Sequence, residues 1–413
     1  MSPAPLGVCV FQLPTSGHVN PLLPVLTELV ERGADVCSTS VPVIDAKVAA
    51  TGARLAPYPP IVAELASVPP DGLADVCALL SRMTDVLMPW CISLLEDERP
   101  DVVIVDSMAP WGRLAAERLG IPCVSSSTTF VIHSGLDRSI SGTVGTVREV
   151  LGGLPALAAY ARSRRAVKRK WGLDLGSPVG LLAGLADLTI AHTSRELQPG
   201  ADVLDDPRHP IRYIGTAVRP ASPEHPDLEG LVDGPLIYAS LGTLYNERPD
   251  FFRNVLSALA DHNGPVLLSI GDRLDPGELG ALPANAVVRP SVPQLAVLAR
   301  AEAFITHGGM NSTTEGLVHG VPMVFAPQTA DQPLVARRIA ALGAGTVLRG
   351  HCPSPEAIAA AVEQVRTSGA RERAAELGRS LLACGGAGAA ADAIFQAAGY
   401  ASDEATEREP THT

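Results

Sequence analysis

Phe304-Ile305-Thr306-His307-Gly308-Gly309-Met310-Asn311-Ser312-Thr313-Thr314-Glu315-Gly316, followed by Val321-Pro322-Met323 and by Ala326-Pro327-Gln328-Thr329-Ala330-Asp331-Gln332, is the segment on which the fold turns. An apolar run ends at His307, two glycines follow, and an amphipathic pattern opens at Asn311. A second apolar run then begins near Pro322. That order is strand, glycine turn, helix, strand, the unit of a parallel sheet. A helix that opens behind glycines exposes backbone N–H groups and carries about +0.5 charge at its N-terminus, a setting that suits anions. Two phosphates fit there without a metal, with His307 as a further donor. Glu315, one turn in, projects toward a sugar attached to them.

The same alternation runs outward in both directions. Apolar runs at 6–13, 34–40, 53–59, 101–106, 121–127, 188–194 and 211–215 predict strands, with helices between them at 20–32, 72–97 and 111–119. Segment 217–233 holds three prolines and no periodicity, and reads as a linker. The pattern then restarts at 234–242, 264–271, 285–291, 301–307, 322–327 and 345–349. Two successive sets predict two doubly wound, mostly parallel α/β sheets. In such sheets ligands bind beyond the carboxyl ends of the strands.

Two polar residues stand at such ends in the first set. His18, in Pro14-Thr15-Ser16-Gly17-His18-Val19-Asn20-Pro21, follows the first strand; Gly17 allows close backbone approach, and Asn20 is expected to cap a helix opened by Pro21. A histidine with a pKa near ~6.5 suits a general base at neutral pH. Asp106 ends Asp101-Val102-Val103-Ile104-Val105-Asp106. It is either the N-cap of the helix near Trp111 or the orienting partner of His18, fixing the tautomer and stabilising the imidazolium.

Composition narrows the classes. The chain has 413 residues, 46% hydrophobic and 18% charged, which is ample for large cores and too apolar for disorder. A net charge of −12 argues against non-specific nucleic-acid or anionic-membrane binding. No apolar run near the ~20 residues of a bilayer span is evident, and the N-terminus lacks a basic n-region. Seven cysteines without a C-x-x-C motif predict reduced thiols and a cytoplasmic protein. The ten histidines form no metal-ligand spacing. Gly386-Ala387-Gly388-Ala389-Ala390-Ala391 superficially fits a dinucleotide motif, but it follows a helix and reads as a helix cap. Arg162, Arg164, Arg165, Lys168, Arg169 and Lys170 read as a solvated helix face. The absence of G-x-S-x-G disfavours a serine hydrolase.

Segment 287–343 resembles the nucleotide-diphosphosugar signature of family 1 glycosyltransferases, and within them the bacterial macrolide-glycosyltransferase group. Gly17-His18-Val19-Asn20-Pro21, the Asp106 strand, Thr193-Ser194-Arg195-Glu196-Leu197-Gln198-Pro199 and Ser240-Leu241-Gly242-Thr243 are similar to that group. The likeness covers most of the chain except about 130–185. It implies the GT-B fold, two facing Rossmann-like domains: an acceptor domain at 1–216, the linker 217–233, a nucleotide-sugar domain at 234–385, a helix at 386–400 returning to the first domain, and a disordered tail at 401–413. It implies that His18 deprotonates an acceptor hydroxyl while Asp106 holds it. His307, Asn311 and Ser312 would bind the diphosphate, with Ser240 and Thr243 alongside and Gly17 and Gly309 giving backbone access. Glu315 would bind the ribose, Val292 and Gln294 would frame the uracil, and Asp331 and Gln332 would bind hexose hydroxyls, a pair that goes with glucose. Many relatives carry tryptophan where this chain has Ser291, which removes a stacking surface for the base. The expected partners are a UDP-sugar, UDP-glucose first, and a small apolar hydroxyl-bearing acceptor such as a macrolide, polyketide or phenolic. No metal or cofactor, nucleic acid or membrane is expected, and the state is monomer or homodimer. A nucleotide-sugar epimerase on this fold, with His18 and Asp106 idle, and a non-catalytic nucleotide-sugar-binding protein stay open as alternatives.

Overall fold

The computed structural model describes residues 5–66, 72–133, 147–218, 220–228, 234–243, 246–328 and 331–400. Thirteen strands are described: β1 (Gly7–Phe11), β2 (Asp35–Ser40), β3 (Arg54–Pro57), β4 (Val102–Asp106), β5 (Cys123–Ser127), β6 (Leu188–Ala191), β7 (Ile211–Tyr213), β8 (Leu236–Ser240), β9 (Val266–Ser269), β10 (Ala286–Arg289), β11 (Ala301–Thr306), β12 (Met323–Phe325) and β13 (Gly345–Val347). Every one falls inside a predicted run. They form a seven-stranded sheet ordered β3-β2-β1-β4-β5-β6-β7 and a six-stranded sheet ordered β10-β9-β8-β11-β12-β13. All pairings are parallel. The strands β4, β5 and β8 are buried along their whole length, as expected for apolar runs covered on both faces by helices.

Strand order reverses once in each sheet, between β1 and β4 and between β8 and β11. At such a switch point the connecting helices leave on opposite faces and open a crevice at the carboxyl ends. In the first sheet this crevice lies between the ends leading to His18 and Asp106. In the second it lies between Ser240 and Thr306, which are register partners. Sheet order thus selects both candidate sites.

Helix Ser16–Glu31 buries Val19, Leu22, Val25, Leu26 and Leu29, one face at helical spacing, in a core shared with β1, β2 and β4. Helix Gly386–Ala397 returns to this core from beyond the second sheet: Ala390, Ala391 and Ile394 are buried in it, and Arg32 pairs with Asp392. It begins at Gly385 and Gly386, both at positive φ, directly after helix Ala370–Leu382, so the glycine-alanine motif is a helix cap. The basic run lies on helix Val147–Trp171, where Arg164 pairs with Asp174 and Lys170 with Asp85. The tail 401–413, residue 219 and positions 229–233 of the linker lie outside the described residues.

Two expectations need correction. Helix Ser16–Glu31 begins before Asn20, so Asn20 caps nothing; Thr15 is its N-cap, and Asn20 accepts from Lys47 Nζ at 3.2 Å. Pro21 and Pro24 lie inside the helix. Proline lacks the N–H that would bond to the carbonyl four residues back, so Gly17 O has no intrahelical donor. Helix Leu73–Glu98 is long and apolar enough to cross a bilayer by length and composition. Arg82 and Asp85 interrupt its apolar run in the sequence. Its Cys77, Leu80, Met83, Leu87, Cys91 and Leu95 recur every three or four residues and are buried in the first half's core.

Candidate active site

The chain leaves β1 through a tight turn and enters its helix at Ser16, which sets His18 in the first helical turn, its N–H bonded to Thr15 O. His18 Nδ1 lies 2.8 Å from Asp106 Oδ2, with Thr128 Oγ1 at 3.3 Å. Asp106 is 3% exposed, and its other oxygen accepts from the Met108 N–H at 2.7 Å. The helix after it, Pro110–Leu119, has Ala109 as N-cap, so Asp106 does not cap it. A carboxylate can only accept, so Nδ1 carries the proton and Nε2 keeps a lone pair. Among the described residues Nε2 has no hydrogen-bond partner. Burial disfavours the imidazolium, but the charge and hydrogen bond of Asp106, with Asp331 adding, outweigh it and hold the pKa above the usual 6.5.

Opposite, β11 ends at Thr306 and the backbone turns through Gly308 (φ 84°) into helix Met310–Val318, whose N-cap is Gly309. The first amide with a backbone acceptor is Thr313 N–H, to Gly309 O. The N–H groups of Met310, Asn311 and Ser312 have no acceptor among the described residues. Together with the helix dipole they form a ready anion site. The His307 ring is wedged between two glycines. A Cβ on Gly242 would stand 2.7 Å from His307 Cε1, and one on Gly309 would overlap Nε2. Burial pushes the His307 pKa down to about 4, against the opposing effects of Asp331 and the Ser240 backbone. At neutral pH this ring is uncharged and carries one N–H.

The remaining expected donor-site residues surround that helix. Glu315 Oε2 accepts from Gln294 Nε2 at 2.5 Å, and the same nitrogen lies 3.3 Å from Ser312 Oγ. Burial raises the Glu315 pKa, and Gln294 counteracts it. Tyr238, stacked on Phe304 with centroids 4.8 Å apart, donates its hydroxyl to Gln294 Oε1 at 2.9 Å. Val292 packs on the second half's core. Ser240 is buried and its Oγ accepts from Gly242 N–H, whereas Thr243 is exposed on the turn after β8. Asp331 precedes helix Gln332–Ala341; Gln332 is buried and its Oε1 accepts from Gln328 N–H at 2.8 Å.

The two halves meet at this place. Asn311 Nδ2 donates to Gly17 O at 3.3 Å, the carbonyl that Pro21 leaves free. Thr129 Oγ1 donates to Asp331 Oδ2 at 2.8 Å. Arg338 donates to the carbonyls of Glu196 and Leu197. A cavity of about 120 Å³ between the halves is lined by Thr128, His192, Asn311, Thr314 and Glu315. A larger groove, about 770 Å³, shares Pro24 and Thr216–Val218 with it but runs outward between helices Ser16–Glu31 and Gly386–Ala397 and holds none of the candidate residues. A Cβ on Gly17 would meet nothing within 4 Å, so the space beside Gly17 is open. No three of the described His, Cys, Asp and Glu side chains converge on a possible metal position.

Sequence reasoning missed Thr128, Thr129, Tyr238 and His192. His192 is 6% exposed, sits just past β6, pairs through Nε2 with Ser126 Oγ at 2.9 Å, and is pushed down to about 4 by burial. Its position after a strand end was the available signal.

Known proteins resemble this chain in sequence and in fold. Residues 169–377 match the family described as UDP-glucoronosyl and UDP-glucosyl transferase. The chain is 31% identical over 403 residues to the NDP-glycosyltransferase YjiC of Bacillus licheniformis, covering 94% of this chain and 96% of that one. It is 30% identical over 339 residues to the oleandomycin glycosyltransferase of Streptomyces antibioticus, covering 79% and 76%. The crystal structure of the kitacinnamycin glycotransferase superposes with a TM-score of 0.80 at 32% identity, covering 96% of this chain and 99% of that one.

Proposed function

The chain belongs to the UDP-glucoronosyl and UDP-glucosyl transferase family, a glycosyltransferase of GT-B fold, and from that premise we propose that it moves a hexose, glucose from UDP-glucose, with inversion onto a hydroxyl of a small apolar natural product. The observation that carries the reading is one juxtaposition. An imidazole oriented by Asp106, with Nε2 free, stands across the crevice from three unpaired helix amides, and Asn311 and Gly17 join the two sides.

In this reading the diphosphate lies on the amides of Met310, Asn311 and Ser312, with the neutral His307 donating beside it. Glu315 takes the ribose hydroxyls, and Val292 and Gln294 frame the base. Asp331 and Gln332 take the hexose. The acceptor oxygen attacks the anomeric carbon from the face opposite the nucleotide. As that bond forms, the bond to the diphosphate oxygen breaks and the acceptor proton passes to His18 Nε2, with Asp106 stabilising the imidazolium. The leaving diphosphate gains negative charge at the helix end, where fixed N–H dipoles already point. Because those dipoles receive the charge, transfer is expected to continue in the presence of EDTA, and loss of turnover on chelation would contradict this role. The acceptor class is proposed from the relatives, one of which is named for oleandomycin.

The test is mass spectrometry, with proton NMR to read sugar configuration, of UDP-glucose incubated alone and with a mixed panel of phenols and macrolide aglycones. The reading predicts an added hexose of inverted configuration on at least one aglycone, and an unchanged sugar when donor is incubated alone. Isomerised donor without transfer would mark an epimerase instead.

A further inference from the structure

We propose that Thr129 is a positioning residue for the donor sugar. It sets the orientation of the Asp331 carboxylate, so that sugar recognition is assembled from both halves of the molecule while nucleotide recognition belongs to the second half alone. The inference rests on the reading of Asp331 as a hexose-binding acid.

Asp331 stands at the N-cap of helix Gln332–Ala341 but makes no side-chain capping bond, so its own helix does not hold the carboxylate. Its one hydrogen bond among the described residues comes from Thr129 Oγ1, 2.8 Å from Oδ2 and 202 positions away in sequence. Oδ1 stays available to accept from a ligand hydroxyl. A carboxylate anchored through one oxygen presents the other in a fixed direction. Without the anchor, rotation about the terminal torsion, which is broad for Asp, is free.

Thr129 is itself held firmly. Ser127 Oγ donates to the Thr129 carbonyl at 3.2 Å. Phe130 is 1% exposed and belongs to the second half's buried cluster with Tyr238, Phe304 and Val335. The Gln198 side chain clasps Val131, accepting from its N–H at 2.9 Å and donating to its carbonyl at 3.0 Å. The preceding residue, Thr128, places its hydroxyl 3.3 Å from His18 Nδ1. Two consecutive hydroxyls on one rigid strap therefore touch the base and the sugar-binding acid. The strap fixes the distance between proton acceptor and sugar, which in-line transfer requires.

The experiment measures dissociation constants of UDP and of UDP-glucose by calorimetry in the parent, Thr129→Val, Thr129→Ser and Asp331→Asn. Valine keeps the shape and removes the hydroxyl; serine keeps the hydroxyl. Thr129→Val is expected to weaken UDP-glucose about tenfold, the scale of one hydrogen bond to a charged group, and to leave UDP binding unchanged. Intact UDP binding also shows that the variant is folded. Thr129→Ser is expected to restore sugar-nucleotide affinity. Asp331→Asn is expected to weaken UDP-glucose and spare UDP. If Asp331→Asn leaves UDP-glucose affinity intact, the reading of Asp331 fails and the proposal with it. If Asp331→Asn weakens it while Thr129→Val does not, or if Thr129→Val weakens UDP and UDP-glucose alike, the role of Thr129 alone is overturned.

Discussion

His18 and His307 both follow strand ends at the crevice, yet their surroundings drive their protonation apart. Among the described residues His307 has no anion in contact; burial dominates and holds it neutral down to about pH 4. His18 is bonded to a buried carboxylate, which outweighs burial and lifts its pKa above 6.5. A general base works only when deprotonated. Activity is therefore expected to fall toward acid with a midpoint above that of free histidine, and to level off at higher pH. Asp106→Asn removes the charge that raises the pKa while burial remains, so the acid limb of kcat/KM shifts to lower pH. It also loosens the tautomer, and turnover drops on the order of 100-fold. A pH–rate profile whose acid limb does not move in that variant would separate Asp106 from the base. The pair was legible in the sequence because Asp106 ends an apolar strand and His18 follows the end of another. Thr129 was not: it is one hydroxyl in the run Ser125-Ser126-Ser127-Thr128-Thr129, and its partner Asp331 opens a helix of the other half.

At the scale of the element, the turn from β11 into helix Met310–Val318 is where local sequence does most to shape the site. Gly308 takes a positive φ that other residues resist, whereas Gly309, at φ −63°, is glycine for space. Gly309→Ala costs the backbone little, but its methyl overlaps the His307 ring. That variant is expected to bind UDP about tenfold more weakly, the effect of displacing a donor to a charged group, with circular dichroism unchanged. Unaltered UDP affinity would show that His307 does not contribute. This element was legible because its glycines, polar caps and flanking strands all signal the same unit. Helix Ser16–Glu31 was misread at its start because Asn20-Pro21 has the form of an N-terminus. The prolines are tolerated inside it, and Asn311 from across the crevice supplies the donor that Pro21 lacks.

At the scale of the molecule, the proposed function divides labour by the two switch points: proton removal on the first sheet, nucleotide binding on the second. The central strands β4, β5 and β8 were legible because parallel strands buried on both faces read as continuous apolar runs. How the halves face each other was not, since Arg338 with Leu197, Asn311 with Gly17 and Thr129 with Asp331 join residues 141 to 294 positions apart. If labour is divided in this way, deleting the base should not disturb the donor. The most direct measurement is therefore turnover and UDP affinity side by side in His18→Ala, with an acceptor identified from the panel. The account predicts UDP binding close to that of the parent and turnover lowered at least ~100-fold. Near-normal turnover in that variant would contradict it.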